Sequence, residues 1–197
     1  MILRATIAAT WSALLFVTFA AIPARADNTE LFKPFARQLE QLEQKSLTPY
    51  RDEDGRWRIG LGFPIDDPAA KWGLAGVNAD LDQLRDGQTK LSPEQLQCLT
   101  TVETARALLD CQQRIAHFER LTNGQKLAVL HVRFTAGPRQ FAAMTAFHDA
   151  LAKHDLQGAV NALRNSDWYD RSHKRSEPII KALLDDASRR STRTPSR

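Results

Sequence analysis

Apolar residues recur at spacings of three and four along the first helical stretch of the chain, Phe32 to Leu47. The apolar positions are Phe32, Phe35, Ala36, Leu39 and Leu42. This period predicts an amphipathic helix, with Pro34 as its first helical residue. At about 100° per residue, Glu43 falls inside the apolar stripe and Glu40 at its edge. A solvent-facing role suits Glu40, but it does not explain Glu43.

The period changes to two between Leu47 and Phe63. Asp54-Gly55 is a hairpin-turn signal. After it, Trp57, Ile59, Leu61 and Phe63 alternate with Arg56, Arg58, Gly60 and Gly62. This alternation predicts a strand with an apolar face and a face of glycines beside Arg58. Such glycines allow another backbone or a ligand to approach, and they also occur where a sheet bends tightly; both interpretations stay open.

The rest of the chain is predicted to be a loop followed by helices. Residues 64–90 have little periodicity and are interpreted as a loop with a short strand or helix around Trp72 to Leu81. Three capping-box patterns, which mark helix starts, begin at Ser92, Thr100 and Thr122. The predicted helices are a short one after Ser92, a long one from about Val102 to Phe118, a buried one ending at Gly137-Pro138, and further ones over Gln140 to Lys153, Leu156 to Arg164 and Ser176 to Ala187. These elements predict an α+β fold that is mainly α.

Residues 1–26 have the pattern of a cleaved secretory signal peptide. Arg4 precedes an uncharged run from Ala5 to Ile22, and Ala24-Arg25-Ala26 is a small-x-small cleavage site. We therefore predict cleavage before Asp27 and a periplasmic or secreted location. The alternative is an uncleaved membrane anchor, because the run is close to the length that spans a bilayer.

Charge is distributed unevenly between the body of the chain and its C-terminus. Loss of Arg4 and Arg25 with the signal leaves 25 of the 27 basic residues against 23 acidic ones. Four of these arginines lie in residues 188–197, SRRSTRTPSR, which has no apolar residue and is predicted to be disordered. Residues 27–187, which suit one domain, thus carry 21 basic and 23 acidic side chains. The body of the chain therefore gives no reason to expect a nucleic-acid partner.

Two cysteines, Cys98 and Cys111, are present. An oxidising compartment favours a disulfide between them, which would fasten the short helix to the long one; the alternative is two buried free thiols on a helix hairpin. The five histidines show no metal-binding spacing and are interpreted as surface or core residues: His117, His131, His148, His154 and His173. We therefore predict no structural metal site and no cofactor.

Glu43 and Asp52 form a candidate pair of catalytic carboxyl groups. A carboxyl group in an apolar stripe is expected to have a raised pKa, because burial disfavours its charged form. A glycosidase needs such a group to protonate the leaving oxygen. Asp52, at the head of the hairpin, is the natural second carboxylate. A separation of about 6.5–9.5 Å would indicate an inverting pair and about 5–5.5 Å a retaining pair, and the sequence leaves both open.

At these residues the chain resembles the phage-type lysozymes, glycoside hydrolase family 24. The matching positions of the first motif are Glu43, Leu47, Tyr50, Asp52, Gly55, Ile59, Gly60 and Gly62. The stretch LTNGQKLAVLHVRFTAG is similar to the family's buried helix, and Trp168 and Arg175 match a late segment. The resemblance spans roughly Leu39 to Ile180.

The resemblance implies a two-lobe fold, a small hairpin lobe and a larger helical lobe joined by the Val102 to Phe118 helix. It also implies a muramidase that cleaves the β-1,4 bond between N-acetylmuramic acid and N-acetylglucosamine in peptidoglycan, without a cofactor. Glu43 would be the general acid and Asp52 would place the water. Residues at the family's cleft positions imply substrate binding by Phe63, Phe134 and Thr145. No membrane contact is expected after signal cleavage, and a protein partner stays open.

The chain departs from the family pattern close to the predicted chemistry. Arg58 replaces the threonine that helps to hold the attacking water. Other family residues are replaced by Gln44, Phe63, Thr135 and Met144. Arg58 is expected to pair with Asp52 or Glu43, or to bind an anionic substituent of the glycan. The alternative to an enzyme is therefore an inactive lysozyme-like protein that binds peptidoglycan or another protein in the cell envelope.

Overall fold

The computed structural model of the chain describes residues 29–43, 45–52, 55–66, 68, 70–171 and 176–184. The predicted signal over 1–26 and the predicted tail over 188–197 lie outside these residues. So do Gln44 and Arg175, which entered the resemblance.

Helices and a small sheet alternate as expected for a mainly helical α+β fold. The helices are α1 (Thr29–Leu42), α2 (Ala70–Ala75), α3 (Leu81–Arg85), α4 (Pro93–Arg114), α5 (Asn123–Ala136), α6 (Pro138–Ala143), α7 (Thr145–Ala152), α8 (Leu156–Arg164) and α9 (Asp167–Arg171). The strands are β1 (Lys45–Arg51), β2 (Trp57–Leu61) and β3 (Phe63–Pro64). A 3-10 turn spans Phe118–Arg120, and residues 176–184 are helical again. The predicted fold class is confirmed.

The three strands form an antiparallel sheet in the order β1-β2-β3. The single strand predicted up to Phe63 is wrong, because the chain turns back on itself after Leu61. Gly60 and Gly62, with φ of +67° and +82°, adopt the left-handed backbone that this turn requires. The glycine face is therefore a tight bend of the sheet. Gly60 also packs against α4, since a Cβ there would lie 2.7 Å from Leu96 Cδ1.

Two hydrophobic cores divide the molecule into lobes. The small-lobe core comprises Ile59, Phe63, Ile65, Ala70, Leu74, Val77, Leu81, Leu84, Leu91 and Leu99. The larger core gathers residues of α1, α4, α5 and the helices that follow. Helix α4 contributes Leu99 to the first core and Ala107, Leu108 and Cys111 to the second. It therefore joins the lobes, as the resemblance implied for the long helix.

Helix α4 is one helix of 22 residues where the sequence suggested two. Its start is the predicted one, because Ser92 and Gln95 form a complete capping box. The second predicted start is wrong: the Thr100 and Thr101 hydroxyls donate to the carbonyls of Leu96 and Gln97, 2.9 Å each, inside the continuing helix. Threonine can bond back to the preceding turn in this way as readily as it caps a new helix.

The continuity of α4 rules out the predicted disulfide. Cys98 and Cys111 are both free, the first exposed and the second buried. They lie on one helix thirteen positions apart, so their Cα atoms are about 20 Å from each other. A disulfide needs Cα atoms roughly 4.4–6.8 Å apart. Burial in the large-lobe core also raises the pKa of the Cys111 thiol strongly.

Other element boundaries differ modestly from the predictions. Helix α1 begins at Thr29 and contains Pro34, and it ends at Leu42, so Leu47 belongs to β1. The predicted helix over Gln140 to Lys153 is two helices, α6 and α7, with Met144 between them. Helix α8 matches its predicted bounds. Within the described ranges, none of the helices has the length and apolar character needed to cross a bilayer.

Candidate active site

Glu43 continues the inward-facing series of α1 one residue beyond the helix. Leu31, Phe35 and Leu39 are buried at spacings of four, and Glu43 is the next member of that series. Its amide donates to the Leu39 carbonyl at 2.8 Å, so the helical turn still holds it. The side chain is half-buried. The prediction that Glu43 points inward is confirmed.

The carboxylate of Glu43 lies directly against Gly62. A Cβ on Gly62 would be 2.8 Å from Glu43 Oε2 and 3.1 Å from its carboxyl carbon. Only a glycine leaves this space, and its positive φ is a second reason for glycine there. The Glu43 carboxylate therefore packs against the sheet bend at Gly62, and we call Gly62 its seat.

Asp52 closes the β1–β2 hairpin. Its amide donates to the Arg56 carbonyl at 3.0 Å, and its Oδ1 accepts from the Arg56 amide at 2.9 Å. Its carbonyl accepts from the Gly55 amide at 2.9 Å, and Gly55 has the positive φ of +73° that the turn needs. The hairpin that Asp54-Gly55 predicts is confirmed, and Asp52 holds it together.

Arg58 forms a buried ion pair with Asp52. Arg58 Nε donates to Asp52 Oδ2 at 2.8 Å, and Arg58 Nη1 donates to the Gly62 carbonyl at 3.1 Å. The exposed fraction of the side chain is 5% for Arg58 and 0% for Asp52. Since Oδ1 and Oδ2 both accept hydrogen bonds and neither meets solvent, Asp52 cannot hold an attacking water in this arrangement. The structure thus gives Asp52 a structural partner, and its predicted role in placing the water stays a prediction.

The same geometry removes one role suggested for Arg58. Its guanidinium is inside the protein and bonded on two sides, so it is not available to an anionic substituent of a glycan. Arg58 holds the Gly62 turn through the hydrogen bond to the Gly62 carbonyl, and the Glu43 carboxylate packs against the same residue. Arg58 thus acts through Gly62 on the position of Glu43.

A cleft of about 310 Å³ opens between the lobes. It is lined by Phe63, Pro64, Ala70, Trp72, Glu103, Arg106, Leu109, Asp110, Arg133, Phe134 and Pro138. The predicted substrate-binding residues Phe63 and Phe134 therefore face one cleft from opposite lobes. Phe63 directly follows Gly62, the seat of Glu43.

The structure does not bring Thr145 to this cleft. Thr145 begins α7, is exposed, and lines a separate hollow of about 260 Å³ beside Met144 and Ser166. Met144 is buried at the break between α6 and α7. The substrate-binding role predicted for Thr145 therefore does not fit the cleft of Phe63 and Phe134.

Two ion pairs lie along the cleft. Arg106 Nη1 donates to Glu103 Oε1 at 2.6 Å, and Arg133 Nε donates to Asp110 Oδ2 at 2.5 Å. The Arg106 side chain is 46% exposed, whereas that of Arg133 is 6% exposed. The four charged residues of these pairs were not predicted as site residues from the sequence. A signal was present, because Glu103, Arg106 and Asp110 recur at spacings of three and four within the predicted Val102 to Phe118 helix; that this face lines the cleft is visible only in the structure.

Two buried histidines belong to the large-lobe core rather than to a site. His131 Nε2 lies 2.9 Å from Gln38 Oε1 and its ring packs on Phe35 at 4.7 Å. His148 packs on Phe141 at 4.6 Å. Burial lowers the pKa of each to about 4. No group of three or more potential metal ligands occurs in the part of the chain that the structure describes.

In comparisons with known proteins, no family model matches the chain, and no curated protein matches it. The resemblance to phage-type lysozymes therefore remains a prediction from the motifs.

Proposed function

We propose that this protein is a muramidase of the cell envelope, which cleaves the β-1,4 bond between N-acetylmuramic acid and N-acetylglucosamine with Glu43 as the general acid. The observation that carries the proposal is the position of Glu43, whose half-buried carboxylate lies against Gly62, the residue before Phe63. Phe63 lines the cleft, although Glu43 itself is not among the lining residues. The predicted signal over 1–26 supports action in the periplasm or outside the cell.

In the proposed reaction Glu43 protonates the glycosidic oxygen as the bond to the anomeric carbon breaks. A fixed seat matters for this step, because a general acid must lie within hydrogen-bond reach of the oxygen that it protonates. Helix α1 fixes the backbone of Glu43 and the Gly62 turn fixes its carboxylate. Water then adds to the anomeric carbon and releases a proton, which returns Glu43 to its acid form, so that each product ends in a hydroxyl group.

Asp52 contributes to this proposal through structure and not as a base. Its carboxylate is bonded to Arg58 and to the Arg56 amide and has no exposed surface. Without a second carboxylate to orient the water, the enzyme lacks a contribution of about 10²–10⁴ in rate. We therefore expect slow hydrolysis compared with an enzyme that uses two carboxylates.

A second candidate function is peptidoglycan binding without hydrolysis. The sealed Asp52–Arg58 pair favours it, because one of the two catalytic groups implied by the resemblance serves the hairpin instead. The cleft between Phe63 and Phe134 would then hold the glycan without cleaving it.

Release of reducing ends from purified peptidoglycan, measured for the native protein and for Glu43→Gln, separates the two functions. Hydrolysis by the native protein together with a loss of at least about 10²-fold in Glu43→Gln supports the muramidase. Sedimentation with peptidoglycan in the absence of any Glu43-dependent release supports the binding protein. Glu40→Gln, which changes an exposed glutamate on α1, is the matched control and should release as much as the native protein.

A further inference from the structure

Two of the large apolar side chains exposed in the described residues line the same cleft. Trp72 on α2 is 77% exposed and Leu109 on α4 is 36% exposed. The indole of Trp72 has neither a ring contact nor a hydrogen bond to any residue that the structure describes. The aromatic face of Trp72 is therefore exposed to solvent at the cleft. Aromatic faces at wet entrances are suited to stack on the apolar face of a sugar ring.

Arg106 is the cation beside this face. Only its Nη1 is engaged among the described residues, by Glu103 at 2.6 Å, and its side chain is 46% exposed. A guanidinium has five donors in a planar fork, so Arg106 can keep its bond to Glu103 and still bind a second carboxylate. Arg133, the other arginine of the cleft, is 6% exposed and bonded to Asp110, which leaves Arg106 as the accessible cation of this pair.

Gly73 allows α2, which carries Trp72, to approach Arg106 closely. A Cβ on Gly73 would lie 3.0 Å from Phe63 Cζ, 3.2 Å from Arg106 Nη1 and 3.3 Å from Glu103 Oε1. The glycine thus lets α2 lie directly on the ion pair of α4. Trp72 precedes Gly73, so its ring and the Arg106 guanidinium are held at neighbouring positions of one cleft.

We propose that this cleft selects carboxylate-bearing amino-sugar glycans, with Trp72 stacking on a sugar ring and Arg106 binding the carboxylate of that ring or of its substituent. The inference rests on the proposed function for the class of glycan, but it concerns binding and does not require hydrolysis. In peptidoglycan the carboxylate can come from the lactyl group of a peptide-free muramic acid, or from a stem peptide where the lactyl group is amidated. Both sources present the same anion to Arg106.

Calorimetric titration of the Glu43→Gln protein, in which cleavage is removed, tests the proposal with three soluble ligands. These are an oligomer of N-acetylglucosamine, a peptide-free oligomer alternating with N-acetylmuramic acid, and the same oligomer with stem peptides. We expect at least one acidic ligand to bind about tenfold or more tightly than the neutral one. The acidic ligand that shows the preference identifies the source of the carboxylate.

Substitutions in the Glu43→Gln protein assign the preference to residues. Arg106→Gln should remove it and Arg106→Lys should retain part of it, while Trp72→Ala should weaken all three ligands and Trp72→Phe should restore part of the binding. Arg164→Gln is the matched control, because Arg164 is 45% exposed and paired with Glu177, but lies on α8. Trp57→Ala controls for the loss of an exposed indole, since Trp57 lies on β2 beneath Arg51.

Equal affinity for neutral and acidic ligands, or a preference that survives Arg106→Gln, would overturn the role of Arg106. Unchanged binding by Trp72→Ala would overturn the stacking face, and no binding of any ligand would overturn the whole proposal. Selective binding by a protein that releases no reducing ends would contradict the proposed muramidase activity but not this inference. Hydrolysis that is unchanged by substitution of Trp72 or Arg106 would contradict this inference but not the proposed muramidase activity.

Discussion

Two arginine–carboxylate pairs of this protein have similar geometry and opposite surroundings. Arg58 and Asp52 meet at 2.8 Å with side chains that are 5% and 0% exposed, under the hairpin. Arg106 and Glu103 meet at 2.6 Å in the cleft, where the arginine is 46% exposed. The first pair has no access to a ligand and holds the sheet bend in place. In the second pair Glu103 is 11% exposed, but the half-exposed Arg106 keeps free donors. The exposure of the arginine, rather than its charge, therefore separates the structural pair from the one that can bind a ligand.

The largest effect of a single substitution should come from breaking the buried pair on one side. Arg58→Ala leaves the Asp52 carboxylate buried without its cation, and we expect a loss of about 3–5 kcal/mol in the free energy of unfolding. Arg106→Ala breaks a pair in which the arginine is 46% exposed but the Glu103 side chain only 11% exposed, and we expect a smaller loss of about 1–3 kcal/mol. Urea denaturation of both variants measures the contrast.

Simultaneous removal of both buried charges sharpens this comparison. Asp52→Asn combined with Arg58→Gln leaves no unpaired charge, so the double variant should be more stable than Arg58→Ala. Equal losses for Arg58→Ala and Arg106→Ala would show that burial does not distinguish the two pairs.

Acid should act on one lobe and spare the other. His131 and His148 lie in the large lobe with pKa values lowered from 6.5 to about 4 by burial, whereas residues 45–92 contain no histidine. Folding favours the neutral imidazoles, so their contribution is complete above about pH 6.5 and is lost as the pH falls towards 4. The loss is on the order of 3 kcal/mol for His131 and smaller for His148, where solvent screens the charge more. Denaturant unfolding between pH 7 and 4 measures the slope.

A substitution at one histidine tests the assignment. His148→Phe, beside Phe141 and Phe147, should reduce the slope of unfolding free energy against pH. The buried Nε2 of His148 has no hydrogen-bond partner among the described residues, so this change orphans no group. His154→Gln, at an exposed position, should leave the slope unchanged. A slope that persists in His148→Phe would assign it to other groups.

A smaller effect on stability than that of Arg58→Ala should come from the point where the hairpin meets Glu43. Gly62→Ala places a methyl group 2.8 Å from Glu43 Oε2 on a backbone with φ of +82°, and we expect a loss of about 1–3 kcal/mol from the backbone strain. Release of reducing ends should fall as well, because the carboxylate must move. Gly87→Ala has a similar φ of +70° with nothing within 4 Å of the added carbon. It should lose stability without losing activity, and a parallel loss of activity would disconnect Gly62 from Glu43.

Local sequence patterns correctly predicted helix ends where the capping residue has only one possible hydrogen-bonding role. The bounds of α8 and the capping box of Thr122 and Gln125 on α5 followed from periodicity and cap chemistry. Thr100 and Thr101 misled the prediction because a threonine hydroxyl can cap one helix or bond within another. The choice depends on whether the flanking turns are buried in a continuous core, which is a tertiary property.

For Glu43 and Arg58 the sequence predicted the direction of the side chain but not its partner. The inward direction of Glu43 followed from the helical wheel, and Arg58 was expected to pair with one of two carboxylates. The sheet register decides which one, since Tyr50 opposite Arg58 places the arginine beside the hairpin head and Asp52. Trp72 lies in a stretch with little periodicity, so its burial could not be predicted, and its 77% exposure is visible only in the structure.

Helix α4 has one further consequence, for how the chain can be cut and recombined. Its 22 residues span about 33 Å and enter both cores, while α1 places the beginning of the described chain in the larger core. The small lobe is thus an insertion between two parts of the large one. Neither lobe is an exchangeable module that a single crossover could transplant, and a viable chimera must inherit α1, α4 and α5 from the same parent.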